Sequence, residues 1–179
     1  MKIFIRILII VGIVIAIPLI VALFVNGEYN IKREITINKP KQEVFNYIKM
    51  LGNQKHYSVW VMKDPNAQME SAGTDGTVGY MSKWNSNIKD VGQGEQEIKM
   101  LKDGERMELA LHFIKPFEGH ATAFMQTDAL GEQQTKVTWG FYSKMPYPVN
   151  IMLLFMNLED HLGKDLQDGL NNLKGVLEK

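Results

Sequence analysis

Hydrophobic positions along this chain fall into three patterns: one continuous apolar run, a series of alternating segments, and a helical stripe. Residues 7–25 carry no charged or hydrogen-bonding side chain, and Lys2 and Arg6 stand just ahead of them. As a helix rising roughly 1.5 Å per residue, the run is about 28 Å long, close to the hydrocarbon thickness of a bilayer. A cleaved secretory signal has a shorter apolar core, roughly 7–15 residues, ending in a small-x-small site. Here the best cleavage context, between Ala22 and Gly27, is poor. Pro18 is compatible with a span, because membrane helices tolerate proline. Residues 1–25 are therefore expected to remain as an N-terminal membrane anchor, with 26–28 as a short junction and 29–179 as one domain.

Beyond the junction the period changes. Residues 29–37 alternate, with Ile31, Ile35 and Ile37 on one side and Lys32, Glu34 and Thr36 on the other, which predicts a half-buried strand. Pro40 opens a short helix over residues 41–51 whose apolar stripe is Val44, Phe45, Ile48 and Leu51. A loop-like stretch, residues 52–65, carries His56, Tyr57, Trp60 and Met62. Five alternating segments follow, near 77–86, 90–101, 105–115, 119–128 and 134–144, with a short one near 67–72. The turn residues Gly73, Gly76, Gly104, Pro116 and Gly131 punctuate them. Consecutive strands with short turns predict a curved antiparallel sheet. Pro146 and Pro148 end the last strand, and residues 149–177 have the pattern of one long helix. Its stripe is Met152, Phe155, Leu162, Leu166, Leu170, Leu173 and Leu177, which must cover the sheet.

Charge narrows the choice of partners. Removing Lys2 and Arg6 from the 20 basic residues leaves 18 against 20 acidic ones, a net charge of −2 over residues 26–179. No basic footprint for nucleic acid is present. The chain has no cysteine, which excludes disulfides and cysteine-based metal or nucleophile chemistry. Lys2, Arg6 and the terminal amine favour a cytoplasmic N-terminus, while Lys32, Arg33, Lys39 and Lys41 pull the other way. The expectation is a single-pass protein of the cytoplasmic membrane with its soluble domain outside.

The order strand, helix, antiparallel sheet, long helix is carried by specific strings. These are Ile35-Thr-Ile-Asn-Lys-Pro40 followed by Val44-Phe45, Tyr57-Ser-Val-Trp60 leading to Asp64-Pro65, and Gly92-Gln-Gly94-Glu95. Phe113-Ile-Lys-Pro-Phe-Glu118, Thr135-Lys-Val-Thr-Trp139 and Gly163-Lys-Asp-Leu-Gln-Asp-Gly169-Leu-Asn-Asn-Leu-Lys174 complete the set. In this order they resemble the SRPBCC (START-like) superfamily, and within it the polyketide cyclase/dehydrase and lipid transport branch, over residues 29–179. The resemblance implies an α+β helix-grip fold: a curved antiparallel sheet wrapped around a long C-terminal helix, here preceded by a transmembrane helix. It also implies an apolar cavity between sheet and helix. It does not fix a reaction, since function resides in the site rather than the fold.

Alternation places Tyr80, Ser82 and Trp84, then Met107, Leu109, Leu111 and Phe113, on the inward face. Ala121, Ala123 and Met125, then Val137, Trp139 and Phe141, continue it. The set is core or cavity lining; its small members, with Gly94, favour a cavity. The expected ligand-binding residues are Tyr57, Trp60, Tyr80, Trp84, Leu111, Phe113, Trp139, Met152, Phe155, Met156 and Glu159. Glu159 is the one candidate acid, a carboxylate near the middle of the last helix's apolar stripe, where it contacts ligand or reaches water and a tyrosine hydroxyl. No catalytic residue is assigned beyond that candidate. His56 sits where the entrance should be. His112 and His120 share outward parity on neighbouring strands, but two histidines without a positioned carboxylate do not make a zinc site, and neither metal nor cofactor is expected. No phosphate loop, HExxH motif or nucleophile elbow occurs. The glycines at 163, 169 and 175 do not share one helix face, which indicates close approach of sheet residues or a bend.

Three functions fit this pattern. The first is a membrane-anchored module holding a lipid or other apolar small molecule. The second is a cyclase/dehydrase-type enzyme acting on an apolar substrate, and the third a structural or stress-response interaction domain without a ligand.

Overall fold

The computed structural model describes residues 2–179. Helix α1 (Lys2–Ala22) leads into strand β1 (Glu28–Ile37), helix α2 (Lys41–Ile48), a 3-10 turn (Leu51–His56) and short helix α3 (Val59–Lys63). Strands β2 (Gln68–Ala72), β3 (Met81–Asn85), β4 (Gln93–Lys102), β5 (Arg106–Lys115), β6 (Gly119–Gly131) and β7 (Gln134–Lys144) follow. A second 3-10 turn (Val149–Leu154) and helix α4 (Leu158–Leu177) close the chain. The strands form one seven-stranded antiparallel sheet in the order β1-β7-β6-β5-β4-β3-β2, so the chain's first strand pairs with its last.

The register preserves the alternation seen in sequence. Met107 faces Met125 and Leu109 faces Ala123 across β5 and β6, while Ala123 faces Phe141 and Met125 faces Trp139 across β6 and β7. The buried core joins Ile31, Ile37, Met125, Val137 and Trp139 of the sheet to Val44, Phe45 and Ile48 of α2. Leu166, Leu170, Leu173 and Leu177 of α4 complete it. Two of the three helix glycines are sites of close approach, as expected. A Cβ on Gly163 would lie 2.1 Å from the Arg33 guanidinium, and one on Gly169 would lie 2.7 Å from the Trp139 ring. Gly175 meets nothing within 4 Å.

The last helix differs from expectation. It begins at Leu158, not at residue 149. Asn157 occupies the N-cap position, and Glu159 and Asp160 fill the first turn, where carboxylates suit the positive end of the helix dipole. The preceding 3-10 turn winds more tightly than an α-helix, so the apolar stripe drawn through Met152 and Phe155 loses its phase before α4 starts. Segment 52–65 is likewise not a loop but the 3-10 turn and α3.

Tyr57 is fully buried, and its hydroxyl finds only the Met125 sulfur at 3.7 Å. Burial pushes the phenol's pKa up, with the charges of Tyr47 and Asp75 adding to the effect. The unfolded phenol ionises near its ordinary value of about 10, whereas the folded one keeps its proton to higher pH. Stability is therefore insensitive to Tyr57 below about pH 10 and falls as pH rises above it. We expect Tyr57→Phe to change stability by no more than about 1 kcal/mol near pH 8. It should also visibly flatten the alkaline decline, read as urea midpoints across the pH series. An unchanged alkaline slope would contradict the burial of this proton.

Candidate functional site: an apolar cavity with an amide pair

A cavity of about 1000 Å³ opens on the concave side of the sheet. Its floor is Ser82 and Trp84 of β3, Leu109, Leu111 and Phe113 of β5, Ala123 of β6, and Trp139 and Phe141 of β7. Leu162 and Leu166 of α4 close one side, and Trp60, Val61 and Met62 of α3 another. The space exists because α4 lies across β1 and β7, with α3 and the first 3-10 turn against it, and does not reach over β3–β5. All three tryptophans of the chain, Trp60, Trp84 and Trp139, line it. Trp60 meets Trp139 edge to face at 6.0 Å, and Trp84 meets Phe113 in the same way at 6.1 Å. These are favourable aromatic geometries that hold the walls open as rigid plates. Trp84 is fixed further by donating its indole N–H to the Val91 carbonyl at 3.1 Å. Its ring fills the place a side chain would take on Gly94, where a Cβ would lie 2.5 Å away. Gly94 thus seats a wall and leaves no empty space, while Ser82 and Ala123 border the void.

The polar groups inside are few. Gln54 and Gln96, both buried and both on the cavity surface, bond reciprocally through their amides at 2.8 and 3.3 Å. Buried Ser58 and Ser82 add two hydroxyls. The carboxylates that line the cavity, Asp64, Glu70 and Asp90, are not buried. Asp64 is engaged by the Ser86 hydroxyl at 2.5 Å. His56 lies at the exposed margin, its Nδ1 paired with the Tyr47 hydroxyl at 2.8 Å. Gln96 was within reach of the sequence, since it shares inward parity with Gly94 and Ile98 on β4. Gln54, in a 3-10 turn, left no periodic signal.

Of the expected site residues, Trp60, Tyr80, Trp84, Leu111, Phe113 and Trp139 stand together on this cavity. Tyr57 does not; it is packed in the core, edge to face with Trp139 at 5.7 Å. Met152, Phe155 and Met156 are corrected more strongly. They project from the segment ahead of α4, and Phe155 is 84% exposed. The missing α-helical turns explain this, because without them these side chains never turn toward the sheet. Met156 and Glu159 border a separate hollow of about 300 Å³ beside residues 26–31.

Glu159 does not enter the cavity. Its carboxylate binds the Arg33 guanidinium at 2.6 Å, and its side chain is 61% exposed. Arg33 sits on the inward parity of β1 and also donates to the Glu159 carbonyl at 3.2 Å, lying over Gly163. The two charges that interrupt apolar faces are each other's partners.

On the outer face His112 and His120 are directly opposed across β5 and β6, with rings stacked 4.4 Å apart at 14°. The structure supplies carboxylates the sequence did not place: Glu95 and Glu118 each lie 3.5 Å from a His112 nitrogen. Lys83 beside Glu95, and then His112, hold that carboxyl below its usual range. Glu118 with one nitrogen each of His112 and His120 brings three ligand-capable atoms within 4.8 Å of one another on this outer face, so the carboxylate that the sequence left unplaced is present.

No protein-family model and no curated protein matches the chain. Solved structures do. Norcoclaurine synthase from Thalictrum flavum, in complex with dopamine and hydroxybenzaldehyde, superposes with a TM-score of 0.61 at 15% identity, covering 89% of this chain and 92% of that one. The Aha1 dimer protein from Colwellia psychrerythraea gives 0.57 at 17% identity, covering 84% and 96%. Ara h 8.0201 gives 0.56 at 13% identity, covering 86% and 100%. The chain therefore has the helix-grip fold that the sequence resemblance implied.

Because Glu159 is mostly exposed and its partner Arg33 still reaches water, Glu159→Gln should cost at most about 1 kcal/mol of stability. High salt should shrink that difference, and the tryptophan emission of the cavity should stay unchanged. A shift in that emission would place Glu159 in the cavity after all.

Proposed function

We propose that this protein is a membrane-anchored binding module that holds one amphipathic, mostly apolar small molecule, such as a lipid or fatty acid, in the cavity beside α4. The observation that carries this reading is the cavity itself: about 1000 Å³, walled by aromatic and aliphatic side chains, with one buried amide pair as its main polar feature. That volume is at the upper end of the usual range for small-molecule sites, which is about 300–1,000 Å³. The Gln54–Gln96 amides satisfy each other when no ligand is present, and each retains capacity to bond a ligand carboxyl or hydroxyl. The fold neighbour norcoclaurine synthase carries two small aromatic molecules, which supports the use of this architecture for small ligands.

The membrane part of the reading rests on α1. Its residues 3–22 are long and apolar enough to cross a bilayer, and their side chains stand exposed almost to the helix end. Uncovered apolar surface on that scale calls for a lipid environment. The cavity also lies well for exchange with a bilayer. α1 meets the sheet at the start of β1, and the paired ends Glu28–Lys144, Ser143–Ala121 and Gly119–Phe113 run along that same edge. The cavity reaches this edge at Val91, Lys115 and Phe117, and Phe117 is 81% exposed.

The enzyme alternative has lost its candidate acid, since Glu159 is spent on Arg33 at the surface.

A titration with cis-parinaric acid tests the proposal, because the three cavity tryptophans would transfer energy to the bound polyene. We expect saturable, one-to-one transfer in full-length protein held in detergent. Ala123→Phe, which projects into the void, should weaken binding at least tenfold while the circular dichroism is kept. Replacing Gln54 and Gln96 together by Met should spare binding of a hydrocarbon chain but remove preference for its carboxyl end. Transfer that is unsaturable or unaffected by Ala123→Phe would refute the reading.

A further inference from the structure

α1 is not loosely tethered. Asn150, 5% exposed, donates both hydrogens of its side-chain amide into the end of α1, to the carbonyls of Ala22 and Val25, each at 2.8 Å. These carbonyls lie at a helix C-terminus, where intrahelical partners run out; Ala22 has besides Asn150 only a long bond from the Val25 N–H, at 3.4 Å. Ala22 is 1% exposed, covered at the point of contact. The junction beside it is equally close: the Met145 N–H donates to the Gly27 carbonyl at 2.9 Å, and a Cβ on Gly27 would lie 2.4 Å from the Met145 carbonyl oxygen. Segment 145–156 is thus held by two hydrogen bonds to the end of the anchor and one to the junction, all to backbone carbonyls.

That segment has an unusual surface. No charged residue occurs from 145 to 158. Tyr147, Val149, Met152, Leu154 and Phe155 are all about half exposed or more. On the anchor, Leu23 and Phe24 are 67% and 86% exposed beside it. In water this would be a costly patch. Its depth relative to the bilayer is fixed by the bonds described above. A residue whose side chain caps Ala22 and Val25 must lie at the level where the span leaves the hydrocarbon.

We propose that the 3-10 turn Val149–Leu154, with Phe155, is a membrane-interfacial element that lies in the headgroup–acyl boundary, and that Asn150 locks it to the anchor. The occupant of this face is the lipid surface itself. Continuity with α1 argues for it, because the patch begins where the span ends and shares its lack of charge. Apolar side chains carried on a short helical element that rests in the interface plane are the ordinary chemistry of such contacts. Two fixed points, the span and this turn, would hold the domain in one orientation and keep the edge bearing Val91, Lys115 and Phe117 beside the bilayer. The proposal rests on the membrane-anchor reading above.

The absence of cysteine makes the test clean. Single-cysteine full-length variants Leu154→Cys, Phe155→Cys and, at the far end of β4, Lys99→Cys are labelled with NBD. They are then reconstituted into vesicles of phosphatidylcholine and phosphatidylglycerol with or without doxyl-labelled lipid. We expect all three to float with the vesicles. Quenching by doxyl lipid should be at least threefold stronger at 154 and 155 than at 99. Adding Asn150→Ala should lower quenching at 155 by half or more without releasing the protein. Flotation with equal quenching at all three positions would overturn the interfacial element while leaving the anchor intact. A blue-shifted label at 155 that doxyl lipid does not quench would show that protein, not lipid, covers the face. Unchanged quenching in the Asn150→Ala background would overturn the lock. Failure of every variant to float would overturn the anchor and this proposal together.

Discussion

A seven-stranded sheet is wider than one helix can cover, and most of this structure follows from that mismatch. Strands spaced about 4.8 Å apart make the sheet about 29 Å across, while a helix with its side chains is about 10 Å wide. α4 solves half the problem. It settles over β1 and β7, where Gly163 and Gly169 let it approach Arg33 and Trp139 closely, and its leucines complete a dry core with α2. The other half of the concave face has no helix to meet. Curvature, α3 and the first 3-10 turn wall it in, and the remaining space becomes a cavity where a second core layer would otherwise stand. The need to keep that space open explains the stiff aromatic walls and the indole of Trp84 laid over Gly94.

Sequence alternation carried the sheet well because one face of each strand is buried and a one-residue slip would expose it. For the same reason it put five of the expected residues, Tyr80, Trp84, Leu111, Phe113 and Trp139, on the cavity side, while Trp60 reaches it from α3. Arg33 and Glu159 were also legible in principle, as single charges on otherwise apolar faces of β1 and the last helix. Their meaning was not, because a charge breaking an apolar stripe marks either a ligand contact or an ion pair, and only the tertiary structure brings the two together. Met152, Phe155 and Met156 were lost to a different cause. A 3-10 turn and an α-helix share short-range spacing, so the stripe continued on paper through a real helix start at Asn157 and Leu158. Gln54 and Glu118 come from turns, whose side chains obey no period, and Glu95 meets His112 only through the β4–β5 register.

The mistaken residues turn out to be informative where they are. The segment ahead of α4 lies beside residues 26–31 at the start of β1, away from the cavity over β3–β5. The break at residues 155–157 leaves those residues on the surface next to the end of α1, where Asn150 ties the segment down. The break thus puts an uncharged surface beside the end of α1. The short junction at residues 26–28 is correspondingly a rigid joint, with Gly27 pressed on the Met145 carbonyl.

The central claim is that the space beside α4 is a site for an apolar molecule rather than a packing defect. Native mass spectrometry of full-length protein, extracted from membranes in mild detergent, addresses it most directly. The account predicts a one-to-one adduct of small-molecule mass that survives detergent removal and can be extracted into organic solvent. Protein that emerges only in its bare form, from membranes containing every candidate lipid and fatty acid, would contradict it.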